Sequence, residues 1–482
     1  MTAHLTEEQD MGDLPMTIRD AAGALRQGEL SSVELTRAML ARADRLDPQI
    51  GAYITRMDDS ALAAAARADA AFAIGLDRGP LQGIPLGLKD ILTTDDAPTT
   101  AQSLVMDPAW SAQGDGPVVS RLRQAGAVIM GKNSTMEFAN GPPDDQKPFP
   151  VPRNPWNTEY WTGGSSSGTG AGIAAGLFLG GLGTDTGGSV RGPSAYCGIT
   201  GMKQTFGRVP KSGCTQNGFS LDHIGPMARS AWDCAALLEV MAGFDATDIN
   251  AAEQPVPRYA DALDGDIRGL RVGVVRDNHT RSSDVHPDTV TCFEEAVRVL
   301  EEAGAATTEV TIPHYDVFAT ANWVNNVGKR PRSTTRLQER WEDWGRYTRV
   351  GNASFGNFLT AAADPLTAYR VRRYAQKVIA GIMRDVDVLV TPTAKAGATK
   401  IADIGYAQSP GFPMFTGVWS FTGLPALVVP MGFTGEGLPL SLQIVARPFD
   451  ESTALKAGDA YQRLTDWHLR KPPVLAAETV TA

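Results

Sequence analysis

The chain has 482 residues, 43% of them hydrophobic and 20% charged, enough apolar material for a large core and unlike a disordered or fibrous composition. Its formal net charge of -10, from 54 acidic and 44 basic side chains, argues against a nucleic-acid partner, because phosphate recognition needs basic patches. Four cysteines, Cys197, Cys214, Cys234 and Cys292, show neither a CxxC pair nor metal spacing with histidine, so no metal is expected and the thiols read as reduced.

The first residues, 1–15, are acidic and polar, without the basic flank or apolar run of a signal peptide, which points to a cytoplasmic protein. Ser31 and Glu34 form a capping-box pair ahead of an amphipathic helix ending near Leu46. An alanine-rich helix is expected over 59–74, with Gly75 placed to end it. Apolar runs at 84–88, 127–130, 270–275, 386–391, 427–430 and 440–445 read as strands. Helices are expected at 117–124, 287–302, 365–384 and 451–464. Short strands separated by helices predict an α/β fold with a central mixed β-sheet covered by helices on both sides. Residues 168–183 are small and apolar, yet too short and glycine-rich to cross a bilayer, which takes ~20 apolar residues. The polar connection 248–268 is the best internal boundary, and 313–358, with Trp323, Trp341 and Trp344 among charges, reads as a lid or helical insertion.

Chemistry concentrates in one glycine-rich run, Gly163-Gly164-Ser165-Ser166-Ser167-Gly168 followed by Gly183-Thr184-Asp185-Thr186-Gly187-Gly188-Ser189-Val190-Arg191. Gly187-Gly188 lets successive N–H groups turn into one concavity, a nest for an oxyanion, with Ser189 at its end as nucleophile. A serine nucleophile needs a base, and no histidine lies near in sequence. Lys89, directly after the apolar run 84–88, could serve once burial neutralises it, with Ser165 relaying the proton. Glycine-rich stretches also mark ordinary turns, and a lysine after a strand is often only a solvated strand end. Gly164-Ser165-Ser166-Ser167-Gly168 also fits a nucleophile elbow with Ser166 attacking, assisted by His223 or His468, although the residues before it make a poor strand. No phosphate loop is present, and the dinucleotide fingerprint fails at Ile173.

The run from Gly163 to Ser194 resembles the signature of the amidase signature family, and Gly83 to Asp90 is similar to its lysine motif. Arg153-Asn154-Pro155-Trp156, Gly201-Met202-Lys203 and Gly423-Leu424-Pro425 match as well. The resemblance implies an amidase-signature fold in a single domain over 1–482: a helical part to about 80, a core at 81–240 and 385–470, and a variable substrate-shaping region at 245–384. It implies a Ser–cisSer–Lys triad of Ser189, Ser165 and Lys89. The backbone N–H groups of Thr186, Gly187, Gly188 and Ser189 would form the oxyanion hole, braced by Ser166, Asp185 and Arg191. It implies no cofactor.

Within the family, the glutamine-dependent amidotransferase branch carries an acidic residue about ten positions before Gly-Leu-Pro. Here that stretch is Gly411-Phe412-Pro413-Met414-Phe415, without a carboxylate. An uncharged bulky or aromatic amide, or a carbamate, is therefore the expected substrate, as in aryl acylamidases and urethanases. Met136, Phe138, Phe412, Met414, Phe415 and Trp419 are its candidate pocket. The N-terminus is too polar for the membrane helix of a fatty amide hydrolase. The chain could act alone or as a homodimer. The alternatives kept open are a glutamine-dependent amidotransferase subunit that needs a partner and an esterase built on Ser166.

Overall fold

Thr17 starts the first helix, Ile18–Gln27, by accepting a hydrogen bond from the Asp20 N–H. Ser31 and Glu34 form the reciprocal box expected of them and start Ser32–Ile50, which runs past residue 46 to a left-handed Gly51. The alanine-rich helix is Asp58–Ala73, with Gly75 following at φ 76°. The computed structural model describes residues 14–277, 279–327, 339–353, 363–405 and 414–476.

Among the described residues, eleven strands form one sheet. Their order is Tyr53–Arg56, Val128–Asn133, Pro85–Lys89, Gly180–Asp185, His223–Ala228, Thr200–Lys203, Ala426–Phe433, Pro439–Ala446, Val388–Pro392, Arg271–Val274 and Ala306–Glu309. All six runs read as strands from the sequence are present. The sheet is mixed and flanked by helices, as expected. Val128–Asn133, Pro85–Lys89 and Gly180–Asp185 are parallel, whereas His223–Ala228 runs against them.

Gly180–Asp185 was hidden by its composition, Gly-Gly-Leu-Gly-Thr-Asp. Close approach explains the glycines. A Cβ on Gly181 would lie 2.5 Å from the Gly87 carbonyl oxygen and 3.0 Å from Thr169 of the covering helix Ser167–Ala174. Because it runs parallel to Pro85–Lys89, the carboxyl ends of both strands open at one edge, where ligands of such sheets bind. Lys89 and Asp185 are the last residues of these two strands.

The connection 248–268 is no separator. Its Tyr259, Leu263 and Ile267 are buried in the main apolar cluster with residues from Ile18 to Tyr461. A second cluster joins helices Tyr315–Val327, Ala363–Ile382 and Gly417–Thr422 through Phe318, Ala375, Ile379, Trp419 and Phe421.

Candidate active site

Lys89 ends a strand whose five residues are all buried. Its Nζ lies 2.7 Å from Ser165 Oγ and 2.7 Å from Thr184 Oγ1. The neighbouring carboxylate, Asp90, is taken up by Lys132 at 3.0 Å. Burial pulls the Lys89 pKa from 10.5 down to about 7, against weaker opposition from Cys214, Asp185 and Asp222. At neutral pH much of this amine is therefore uncharged, with a lone pair able to take a proton from Ser165.

The Gly164–Ser165 peptide is cis. The Ser165 carbonyl accepts from Thr135 Oγ1 at 2.7 Å, and the Thr135 N–H donates to Gln102 Oε1 at 2.7 Å. The Ser166 N–H donates to the Ser189 carbonyl at 3.2 Å, tying the two serine loops together. Ser165 is 3% exposed, while Ser189 is half-buried and reachable. A Cβ on Gly187 would meet nothing within 4 Å, so open space adjoins this loop.

One expected oxyanion donor is already used. The Gly188 N–H donates to Asp185 Oδ1 at 2.8 Å, because the Asp185 carboxylate turns back under the loop it precedes. The N–H groups of Thr186, Gly187 and Ser189 have no acceptor among the described residues. Gly188 is required at φ 138°, where a Cβ would also strike Thr416 Oγ1 at 2.3 Å. Thr416 Oγ1 donates to the Gly187 carbonyl at 2.6 Å, and Thr186 Oγ1 donates to Asp222 Oδ1 at 2.7 Å.

Asp185 and Arg191 form a fully buried ion pair at 2.9 Å. Arg191 reaches on to Gln443 Oε1 at 2.8 Å and Ser420 Oγ at 2.7 Å. Burial alone would raise the Asp185 pKa. The Arg191 guanidinium, with Lys203 and His223 behind it, outweighs that and holds the carboxyl well below the usual range. Ser166 is sealed: the Thr184 N–H donates to its Oγ at 3.1 Å, and that hydroxyl donates to the Thr184 carbonyl at 3.3 Å. His223 faces the Asp185 carbonyl at 3.0 Å and Lys203 at 3.5 Å, and neither it nor His468 bonds Ser166. That arrangement overturns the Ser166 esterase reading.

The apolar candidates separate. A Cβ on Gly164 would lie 2.8 Å from Met136 Cε, and one on Gly192 would lie 2.8 Å from Met414 Sδ, so Met136 presses on the Ser165 loop and Met414 on the first turn of the helix Arg191–Cys197 that follows Ser189. Phe415 is 4% exposed and packs on His279 at 4.4 Å between ring centroids. Phe138 stacks on Trp344 at 5.6 Å. Trp419 is fully buried in the second apolar cluster, packed with Phe318 and Phe421, which corrects its pocket assignment. Phe412 lies outside the described residues. Sequence reasoning missed Thr184, Thr135, Gln102, Asp222 and Thr416 as supports. Only Thr184 sits inside the signature run; the others come from distant segments with no motif.

The chain matches the family profile described as Amidase over residues 34–455. It belongs to the amidase family. As an amidase it is an enzyme of C–N amide bonds. The A-type subunit of glutamyl-tRNA(Gln) amidotransferase from Roseiflexus sp. (strain RS-1) is 41% identical over 95% of this chain and 98% of its own. Native peptide amidase from Stenotrophomonas maltophilia matches at a TM-score of 0.82 with 30% identity, over 95% of this chain and 99% of that one. The A-type subunit of glutamyl-tRNA(Gln) amidotransferase from Thermotoga maritima gives 0.76 and 28%, over 94% and 96%. None of these three carries an aryl acylamidase or urethanase name, so the narrower type read from the sequence draws no support from them. Among the described residues of this amidase, no His/Cys/Asp/Glu group could hold a metal ion. No helix of the described residues is long and apolar enough to cross a membrane.

Proposed function

We propose that Ser189 is the nucleophile of an acyl-enzyme mechanism, with Lys89 as base and Ser165 as relay. The observation that carries this reading is a buried lysine with a pKa of about 7, 2.7 Å from the Ser165 hydroxyl, behind a reachable Ser189. Ser189 Oγ adds to the carbonyl carbon and passes its proton to Ser165, which gives its own to Lys89. The N–H groups of Thr186, Gly187 and Ser189 hold the oxyanion. The proton then returns along the same path to the departing amine, and water hydrolyses the ester. A carbamate would follow the same course through an alkoxycarbonyl or carbamoyl ester. Intact mass after a fluorophosphonate or 4-nitroacetanilide tests this: Ser189→Ala must lose both the adduct and turnover, and full activity in that variant refutes it.

Two substrate readings follow. An uncharged amide or carbamate is supported by Met136 against the Ser165 loop, Met414 against the helix that follows Ser189, and the lack of a carboxylate from Gly411 to Phe415. The identity to A-type amidotransferase subunits supports glutamine as amide donor, with partner proteins, and on sequence it is the better-backed of the two. Glutamine, anilides and carbamates offered side by side separate them. Ammonia from glutamine alone, with no anilide or carbamate turnover, would select the second. A reducing cytoplasmic setting fits the four unpaired cysteines.

A further inference from the structure

Residues 339–353 form a strap fastened to the segment that follows strand Val128–Asn133. Glu137 is the main fastening. Its Oε2 accepts from the Gly345 N–H at 2.9 Å and from Thr348 Oγ1 at 2.6 Å, while Oε1 accepts from Ser103 Oγ at 2.8 Å. Among the described residues no cation pairs with it, so its partners are neutral donors. The Arg346 N–H donates to Asp144 Oδ2 at 2.6 Å, and Arg340 Nη2 donates to the Leu104 carbonyl at 2.7 Å. Trp344 covers Phe138, and Tyr347 lies so close that a Cβ on Gly141 would reach its ring at 2.4 Å. The seam lined by Met136, Glu137, Tyr347 and Thr348 leaves about 10 Å³, near the room of one water.

The fastened segment also touches the Ser165 loop directly and reaches the Ser189 loop through Asn217. Thr135 holds the Ser165 carbonyl at 2.7 Å, and Met136 abuts Gly164. The Ala139 carbonyl accepts from Asn217 Nδ2 at 3.2 Å, and the same amide reaches Thr186 Oγ1 at 3.4 Å. Phe138 and Ala139 both occupy the left-handed region, at φ 49° and 59°, a conformation that side-chain-bearing residues keep only where their surroundings impose it.

The geometry points to Glu137 as a positioning residue that seats the 339–353 strap and, through segment 135–139, fixes the mouth of the Ser165–Ser189 site for bulky substrates. The inference rests on the acyl-enzyme reading above. In Glu137→Gln an amide NH₂ would face at least one of three donors; in Glu137→Ala all three bonds are lost.

Two measurements test it: hydrogen exchange over 339–353, and saturation kinetics of Ser189 labelling by a bulky aryl fluorophosphonate. Both variants should exchange faster across the strap. The half-saturating probe concentration should rise roughly tenfold in Glu137→Ala, the equivalent of one or two lost hydrogen bonds, with the maximal labelling rate within about twofold of the parent. Glu137→Gln should fall between and keeps the test open if the alanine variant does not fold. Unchanged exchange, or faster exchange with unchanged saturation, overturns the inference. Absence of any Ser189 labelling in the parent protein instead overturns the acyl-enzyme reading, and the inference with it, while exchange still reports whether Glu137 holds the strap.

Discussion

Replacing Lys89 by methionine should stabilise the protein at neutral pH while abolishing its activity. The folded amine has a pKa of about 7, against 10.5 for an ordinary lysine. Between those values the unfolded chain binds a proton that the folded chain does not, so stability of the parent rises with pH across the window. At 1.36 kcal/mol per pH unit, the gap corresponds to ~5 kcal/mol of strain borne at and below pH 7, shrinking to ~1 kcal/mol at pH 10. Methionine fills similar space with no charge to desolvate. It forfeits the contacts to Ser165 and Thr184, worth ~1 kcal/mol each. The expected net gain at pH 6.5 is ~2–3 kcal/mol, and at pH 10 the variant becomes the weaker protein by ~1 kcal/mol. A chain of 482 residues has a melting entropy of roughly 1 kcal/mol/K, so the Tm difference should be about +2 to +3 °C at pH 6.5 and negative at pH 10. Parallel calorimetric scans of the two proteins measure it. A variant less stable than the parent at pH 6.5, or a gap that ignores pH, would refute a buried neutral amine.

The rate should follow the same group. kcat/KM should rise with a single ionisation near pH 7 and stay high into the alkaline range, read from a pH profile on any turned-over amide, because only neutral Lys89 accepts a proton. Lys89→Arg should lose activity across that range, since guanidinium stays protonated. Gly188→Ala should fold but lose on the order of 100-fold in kcat, because its Cβ displaces the loop against Thr416; Thr416→Gly in the same chain should restore part of it. Asp185→Asn leaves the buried Arg191 without its counter-charge and should cost ~3–5 kcal/mol, seen as a large fall in Tm together with loss of labelling at Ser189.

Much of the fold was legible because its signals are local. The Ser31–Glu34 box, the proline starts of Pro117–Gln124 and Pro287–Glu302, and the run Glu451–Leu464 each depend on neighbours a few residues apart. Among the five strands of the sheet that stayed hidden, one shows a different reason. Gly180–Asp185 needs glycine only because Gly87 and Thr169 crowd it, and that crowding comes from other parts of the chain. Trp419 looked like a pocket wall beside Met414 and Phe415, yet helix Gly417–Thr422 turns it into the core.

The sequence by itself singled out Ser165 and Ser189 through the glycines of one run, and Lys89, 76 positions before Ser165, as the candidate base after the apolar run 84–88. It also determined the mixed α/β architecture through the alternation of apolar strands and capped helices. Tertiary structure decided what those residues can do. Two parallel strands end at one edge, so Lys89 and Thr184, 95 positions apart, come within hydrogen-bond reach. The apolar run 84–88 marks Lys89 for burial, and the packing around the strand end completes it and sets the lysine near neutrality. The Asp185 carboxylate removes Gly188 from the donors only because the loop folds back over it. Pairings of this kind depend on distance in space, and spacing along the chain does not carry that distance.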